Sequence, residues 1–259
     1  MTADSAVLLD VASGVATITL NRADAKNRLD ADSMGLLLDH LQATAGDPQV
    51  RVVVLTGSGS TFCSGADLSG ALAATSGGFA SGGTSGLVEV LTAMLDHPQP
   101  IVGRVQGHVA GGGNGLVAAC DIAVASADAR FAFSEVRVGV APAIISVVCL
   151  QVMHRRDAQE LLLTGERVSA ERVRAAGLVT QVVEADGLDA AVAAYVDQLI
   201  QGGPEAVTRT KELLGRVPAM TRDEAFAWTA EVSAGLFTSA EAREGMTAFI
   251  EKRKPEWAP

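Results

Sequence analysis

The sequence predicts a layered α/β chain, and three observations carry that expectation. Short β-branched runs alternate with stretches of helical spacing over roughly the first half. The interior must be built from small aliphatic residues, since 48% of the 259 residues are apolar but only 4% are aromatic, and such residues suit close strand–helix contact. From Pro142 onward the pattern is helical, broken by one strand. The length fits one large domain, or one domain with a small helical appendage.

Val7 to Asp10 and Val15 to Leu20 are β-rich runs parted by Ser13-Gly14, which predicts a hairpin. Asn21 to Asn27 is a polar loop. Met34, Leu37, Leu38 and Leu41 give Asp32–Ala45 helical spacing. Arg51 to Leu55 is a continuous β-branched run of the kind found in buried parallel strands, and it stops at Thr56-Gly57-Ser58-Gly59. Residues 71–86 are mostly Ala, Gly and Ser, which reads as a loop or weak helix placed where a lid could sit. Leu87 to Leu95 is a helix, Ile101 to Val105 a strand, Gly112 to Ala119 a helix and Ile122 to Ala125 a strand. After Pro142, helices follow over 160–163, 170–176, 188–200, 204–214, 222–236 and 240–252, with a strand at Val179 to Val183.

A net charge of −10 argues against a nucleic-acid surface and requires a local basic patch for any anionic ligand. Cys63, Cys120 and Cys149 are odd in number and widely spaced, which predicts reduced core thiols and a cytoplasmic protein. Residues 1–10 show no basic segment followed by an apolar one, and no apolar run is long enough to span a bilayer. The four histidines show no HxxxH or HExxH spacing, so no metal site is expected, and neither a phosphate-loop lysine nor a GxSxG nucleophile motif is present.

Three segments carry chemistry. Gly107 to Gly115 holds three consecutive glycines at a helix start, where free N–H groups and the helix dipole can hold an oxygen gathering negative charge; a tight turn with close packing explains the same residues. Gly59 to Leu68 is a second loop of small residues, read alone as strand–loop–helix turn chemistry. Glu135 lies in the mostly apolar run Phe131 to Pro142, where burial would raise its pKa toward acid–base use; read alone, a Glu paired with Arg137 or capping the next helix is the plainer account.

In order and spacing these pieces resemble the crotonase, or enoyl-CoA hydratase/isomerase, family. The resemblance spans Asn21-Arg22, Cys63-Ser64-Gly65-Ala66-Asp67-Leu68, Gly107 to Asp121, Phe131 to Pro142 and the tail Gly245 to Pro255. It implies a crotonase-like α/β fold of ββα repeats in a spiral core (1–195) and a C-terminal helical trimerisation region (196–259). The oxyanion of an acyl-CoA thioester would be held by the N–H groups of Ala66 and Gly112, with Glu135 as the acid–base residue. Arg22, Ala25, Lys26, Ser64, Asp67, Leu68 and Gly111 would contact the CoA or acyl part. Phe249 and Lys252, three apart and so on one helix face, would complete the site from a neighbouring subunit. No cofactor is expected beyond the CoA of the substrate. The partners expected are an acyl-CoA thioester and further copies of the chain, as a homotrimer or hexamer, with no nucleic acid or membrane.

The chain departs from the family's two-glutamate hydratases at Gly115, where the first glutamate would stand. A single glutamate suits 3,2-enoyl-CoA isomerases. One carboxyl group has two oxygens, however, and the run from Ser134 to Ser146 is similar to a subgroup labelled hydratases. Hydration is the expected activity, with isomerisation the alternative. A non-catalytic acyl-CoA binder and a Ser- or Cys-dependent hydrolase are the competing classes; no Ser or Cys in the motif regions stands beside a His.

Overall fold

The computed structural model describes residues 5–66 and 78–259, with residues 78–84 described by backbone alone. Its first element is the expected hairpin: β1 (Val7–Ala12) and β2 (Val15–Leu20) pair antiparallel, and the turn sets Ser13 and Gly14 at φ of 51° and 81°. Helix α1 (Ala31–Ala45) follows, its start closed by a capping box in which Asp30 accepts from Ser33 N–H and Ser33 returns a bond to Asp30 N–H.

A ββα unit then recurs. Strands β3 (Val52–Gly57) and β4 (Thr61–Cys63) precede α2 (Gly78–Leu95). Strands β5 (Ile101–Val105) and β6 (His108–Ala110) precede α3 (Gly112–Ala119). Strands β7 (Ile122–Ser126) and β8 (Arg130–Ala132) precede α4 (Ala143–Val152). The first strand of each unit joins a six-stranded sheet ordered β1-β2-β3-β5-β7-β10, where β10 is Gln181–Val183; the second joins a four-stranded sheet ordered β4-β6-β8-β9, where β9 is Arg167–Ser169. Gly107 makes the turn from β5 to β6 at φ +65°, with the Ser60 carbonyl filling the space a Cβ would need.

The continuous apolar run of β3 is explained by burial on both faces. Val53 and Leu55 join the core built around Leu37, Phe62, Met94 and Leu116, while Val52 and Val54 face Val102, Val124 and the side chains of α7 (Leu188–Gln201). Helix α7 therefore carries position 195 in its middle and covers the outer sheet face with Leu188, Val192 and Val196.

Beyond α5 (Arg155–Thr164) and α6 (Ala170–Ala175), the chain ends in α8 (Pro204–Arg216), α9 (Arg222–Thr238) and α10 (Ala240–Glu251). Helix α8 is tied to the core by Lys211, whose ammonium donates to Met94 O, Gln99 O and Asp121 Oδ2 at 3.2, 3.2 and 2.7 Å. Helix α9 buries no residue; Phe226 and Phe237 are each 70% exposed and line, with Leu213, Val232 and Leu236, an open apolar groove of about 600 Å³. No helix among the described residues is long and apolar enough to cross a membrane.

The structure corrects the element list. The four-stranded sheet is missing from it, because its strands are three residues each and too short to show a period-two pattern. The helix expected from Leu87 begins at Gly78, so the later part of the 71–86 segment is helical.

Candidate active site

Two glycine segments meet where β4 and β6 end. The strands run parallel with Cys63 opposite Val109, so the chain leaving each arrives side by side. Gly65 adopts φ +84°, and a Cβ there would lie 2.8 Å from Ala110 O and 3.2 Å from both Gly111 Cα and Gly112 N. Gly111, at φ 50°, is the N-cap residue of α3. Space excludes a side chain at Gly65, and the left-handed backbone disfavours one at Gly111.

Hydrogen bonds then set the direction of two amides. In a trans peptide the C=O and the following N–H point in opposite directions. The Gly65 carbonyl accepts from Leu29 N–H at 2.8 Å, which turns the Ala66 N–H away from Leu29. The Gly111 carbonyl accepts from Asn114 N–H at 2.9 Å, which turns the Gly112 N–H back out of the helix start, among the donors an α-helix leaves unpaired. Among the described residues neither N–H has an acceptor.

Glu135 completes the constellation. Fully buried Phe131 and Phe133 anchor the chain leaving β8, and a 3-10 turn over Ser134–Val138, closed by Gly139 at φ 80°, presents the carboxyl group. Its Oε1 lies 3.7 Å from where a Cβ on Gly111 would be, and its Oε2 is buried without a hydrogen-bond partner. Burial pushes its pKa above the ordinary carboxylate value, partly offset by its own backbone N–H. Neither plainer account of Glu135 holds. Arg137 donates instead to Thr164 O at 2.8 Å, and the start of α4, with Pro142 as its N-cap residue, has no side-chain cap. A desolvated carboxyl group with one buried, unpartnered oxygen, facing close-packed backbone, is equipped to move protons.

The wall beside it is apolar. A Cβ on Gly115 would lie 2.7 Å from Ile145 Cγ2 and 3.6 Å from Leu91 Cδ1, and one on Gly112 would lie 3.0 Å from Leu29 Cδ1 and 3.5 Å from Leu87 Cδ2. Cys149, one turn beyond Ile145 on α4, has its thiol pushed up to about 12, first by burial and then by the Glu135 carboxylate.

The remaining expected residues are more scattered. Arg22 is engaged by two carboxylates, Asp30 and Asp32, so its charge is already matched within the chain. Ala25 ends a 3-10 turn and Lys26, exposed at φ 56°, follows it; the Lys26 carbonyl accepts from Ser64 N–H at 3.1 Å, joining that turn to the Gly65 loop. Asp67 and Leu68 lie outside the described residues. The expectation that Phe249 and Lys252 share a helix face is corrected: α10 ends at Glu251, and Lys252 turns off it at φ 56°, donating its N–H to the last carbonyls. Phe249 is 85% exposed. Residues the sequence did not single out include Asn27, whose amide donates to Ser58 O and Thr61 O while its Oδ1 accepts from Arg22 N–H, and Leu29. Nothing in the sequence sets Asn27 apart from the other polar residues of its loop; its burial shows only in the fold.

Residues 10–259 match the sequence profile described as Enoyl-CoA hydratase/isomerase. The fold superposes on the crystal structure of an enoyl-CoA hydratase of Mycobacterium smegmatis with a TM-score of 0.93 and 36% identity, covering 97% of this chain and 98% of that one. The chain is 31% identical over 251 residues to the (E)-benzylidenesuccinyl-CoA hydratase of Thauera aromatica, covering 96% of this chain and 97% of the relative. It is 30% identical over 254 residues to the short-chain-enoyl-CoA hydratase of Clostridium acetobutylicum, covering 96% of each.

Proposed function

The chain belongs to the enoyl-CoA hydratase/isomerase family, and within it we propose that this protein adds water across the 2,3 double bond of an enoyl-CoA thioester. The observation that supports the reading most is the desolvated carboxyl group of Glu135, its Oε2 buried without a partner, set against the glycine segments that hold the Ala66 and Gly112 amides. Relatives named as hydratases at about 30% identity favour the same chemistry.

In this reading the thioester oxygen accepts from both amides. As water attacks C3, one Glu135 oxygen takes a proton from it, the double-bond electrons move toward C2 and the thioester, and negative charge gathers on the held oxygen. Glu135 then passes that same proton on to C2 and is a carboxylate again, so one carboxyl group serves both ends of the bond on one face. Each preset donor is worth roughly 3 kcal/mol at the transition state. The test is turnover: hydration of crotonyl-CoA is expected, and isomerisation of a 3-enoyl-CoA without any hydration would overturn it.

The apolar wall over Gly115 favours a second reading, 3,2-enoyl-CoA isomerisation, in which Glu135 removes a C2 proton and returns one to C4. In either case Gly115→Glu is not a simple restoration of a second acid. The new side chain meets buried Ile145, and overpacking alone is expected to cost about 1–3 kcal/mol, read as a lower Tm. A variant as stable as the parent would show that Ile145 yields.

Because Glu135 acts first as a base, activity is lost as pH falls through its raised pKa. The acid limb of kcat/KM is expected at higher pH than an exposed glutamate would give; a limb at the ordinary carboxylate value would remove Glu135 from the role.

For the CoA part we propose Arg22, Ala25, Lys26, Ser64, Asp67, Leu68 and Gly111, with Phe249 and Lys252 reaching it from a neighbouring copy. The exposed Phe249 and the open apolar groove along α9 support assembly as a homotrimer or hexamer. An acyl-CoA thioester and other copies of the chain are then its partners, in the cytoplasm.

A further inference from the structure

Cys63 is fully buried at the end of β4, two residues before the glycine that carries the Ala66 amide. Its sulfur accepts a hydrogen bond from Gly65 N–H at 3.5 Å. On the other side of the same residue, the Gly65 carbonyl accepts from Leu29 N–H at 2.8 Å. These two bonds hold the two peptide planes that flank Gly65. A glycine at φ +84° has no Cβ to select that conformation, so the flanking planes are set by their hydrogen bonds. Cys63 also touches the second glycine segment: a Cβ on Gly113, in the first turn of α3, would lie 2.7 Å from Cys63 O and 3.0 Å from Cys63 Cβ. One residue therefore bears on both segments. Burial pushes the thiol up to about 12, which keeps it neutral and leaves it a packing and hydrogen-bonding group rather than a nucleophile.

We propose that Cys63 is a positioning residue for the reaction: its sulfur, by holding Gly65 N–H, keeps the Ala66 amide aimed at the same point as the Gly112 amide. This rests on the thioester-oxygen role given above to those two amides.

The test compares the parent, Cys63→Ala and Cys63→Ser in steady-state turnover of crotonyl-CoA and in binding of a 3-ketoacyl-CoA, whose enolate has its own near-ultraviolet band. Loss of one weak hydrogen bond is expected to lower kcat by about tenfold in Cys63→Ala with KM little changed. The enolate band should weaken in the same variant while affinity for CoA itself holds. Serine, which keeps an acceptor in place, should restore most of both. If Cys63→Ala does not fold, Cys63→Val fills the site without a polar acceptor and carries the same expectation. Parent-like kcat and enolate band in the alanine variant, or in its valine substitute, would overturn the inference, as would serine failing as badly as alanine. A lowered Tm with unchanged kcat would reduce Cys63 to packing. A parent protein that shows neither turnover nor the enolate band would instead overturn the function proposed above, and this inference with it.

Discussion

Glu135→Gln is expected to lower kcat by about 10²–10⁴-fold, since the amide matches the carboxyl group in shape but cannot take up and return a proton. KM should change little, because CoA contacts elsewhere are untouched. The same substitution has an opposite effect on stability. The Glu135 pKa is raised on folding, so the group is neutral in both states at low pH and imposes no cost there. As pH rises past the unfolded value, the unfolded chain ionises first, and stability falls until the pH passes the folded pKa. Above that point the desolvation of the charged form is felt in full. The glutamine variant is therefore expected to melt higher than the parent at neutral pH, with the gain shrinking toward acid pH. Thermal denaturation at two pH values checks this. If Glu135 were a structural ion-pair partner, the variant would melt lower instead.

Gly65→Ala should be nearly as damaging. At φ +84° an L side chain costs roughly 1–2 kcal/mol, and the new methyl group meets Ala110 O at 2.8 Å and Gly112 N at 3.2 Å. Those atoms are backbone, so no rotamer change relieves the contact and the two segments must part. Misdirecting one amide donor is expected to cost about 10²–10³ in kcat. Gly14→Ala is the control: it carries the same strain at φ +81° in the β1–β2 turn, but its nearest contact, at 3.3 Å, is the Arg51 Cγ, a side-chain atom outside the two glycine segments. It should lose stability while keeping kcat. Equal kcat loss in both would mean that the Gly65 effect is general loosening rather than displaced amides.

The hairpin, the long strands and the three-glycine helix start were legible because each depends on short-range rules. Ser13-Gly14 accepts positive φ, Val52 to Leu55 is apolar on both faces, and Gly107 to Gly115 has the composition of backbone that another group approaches. The order of these motifs was enough for the family. The short strands at Thr61–Cys63, His108–Ala110 and Arg130–Ala132 were not legible, because three residues have no pattern of their own and are strands only through their partners.

The residues proposed to carry chemistry were therefore legible locally: Glu135 among apolar neighbours, and glycines at the ends of strands. What each of them touches was not. Arg137 is drawn off by a carbonyl 27 residues away, Ile145 closes over Gly115, and Leu29 and Cys63 hold Gly65 from its two sides. Local spacing governs backbone shape, whereas partners far apart along the chain meet only once sheets and helices have packed, and that packing sets Gly65 against Gly111 and Gly112 with the Glu135 carboxyl group beside them.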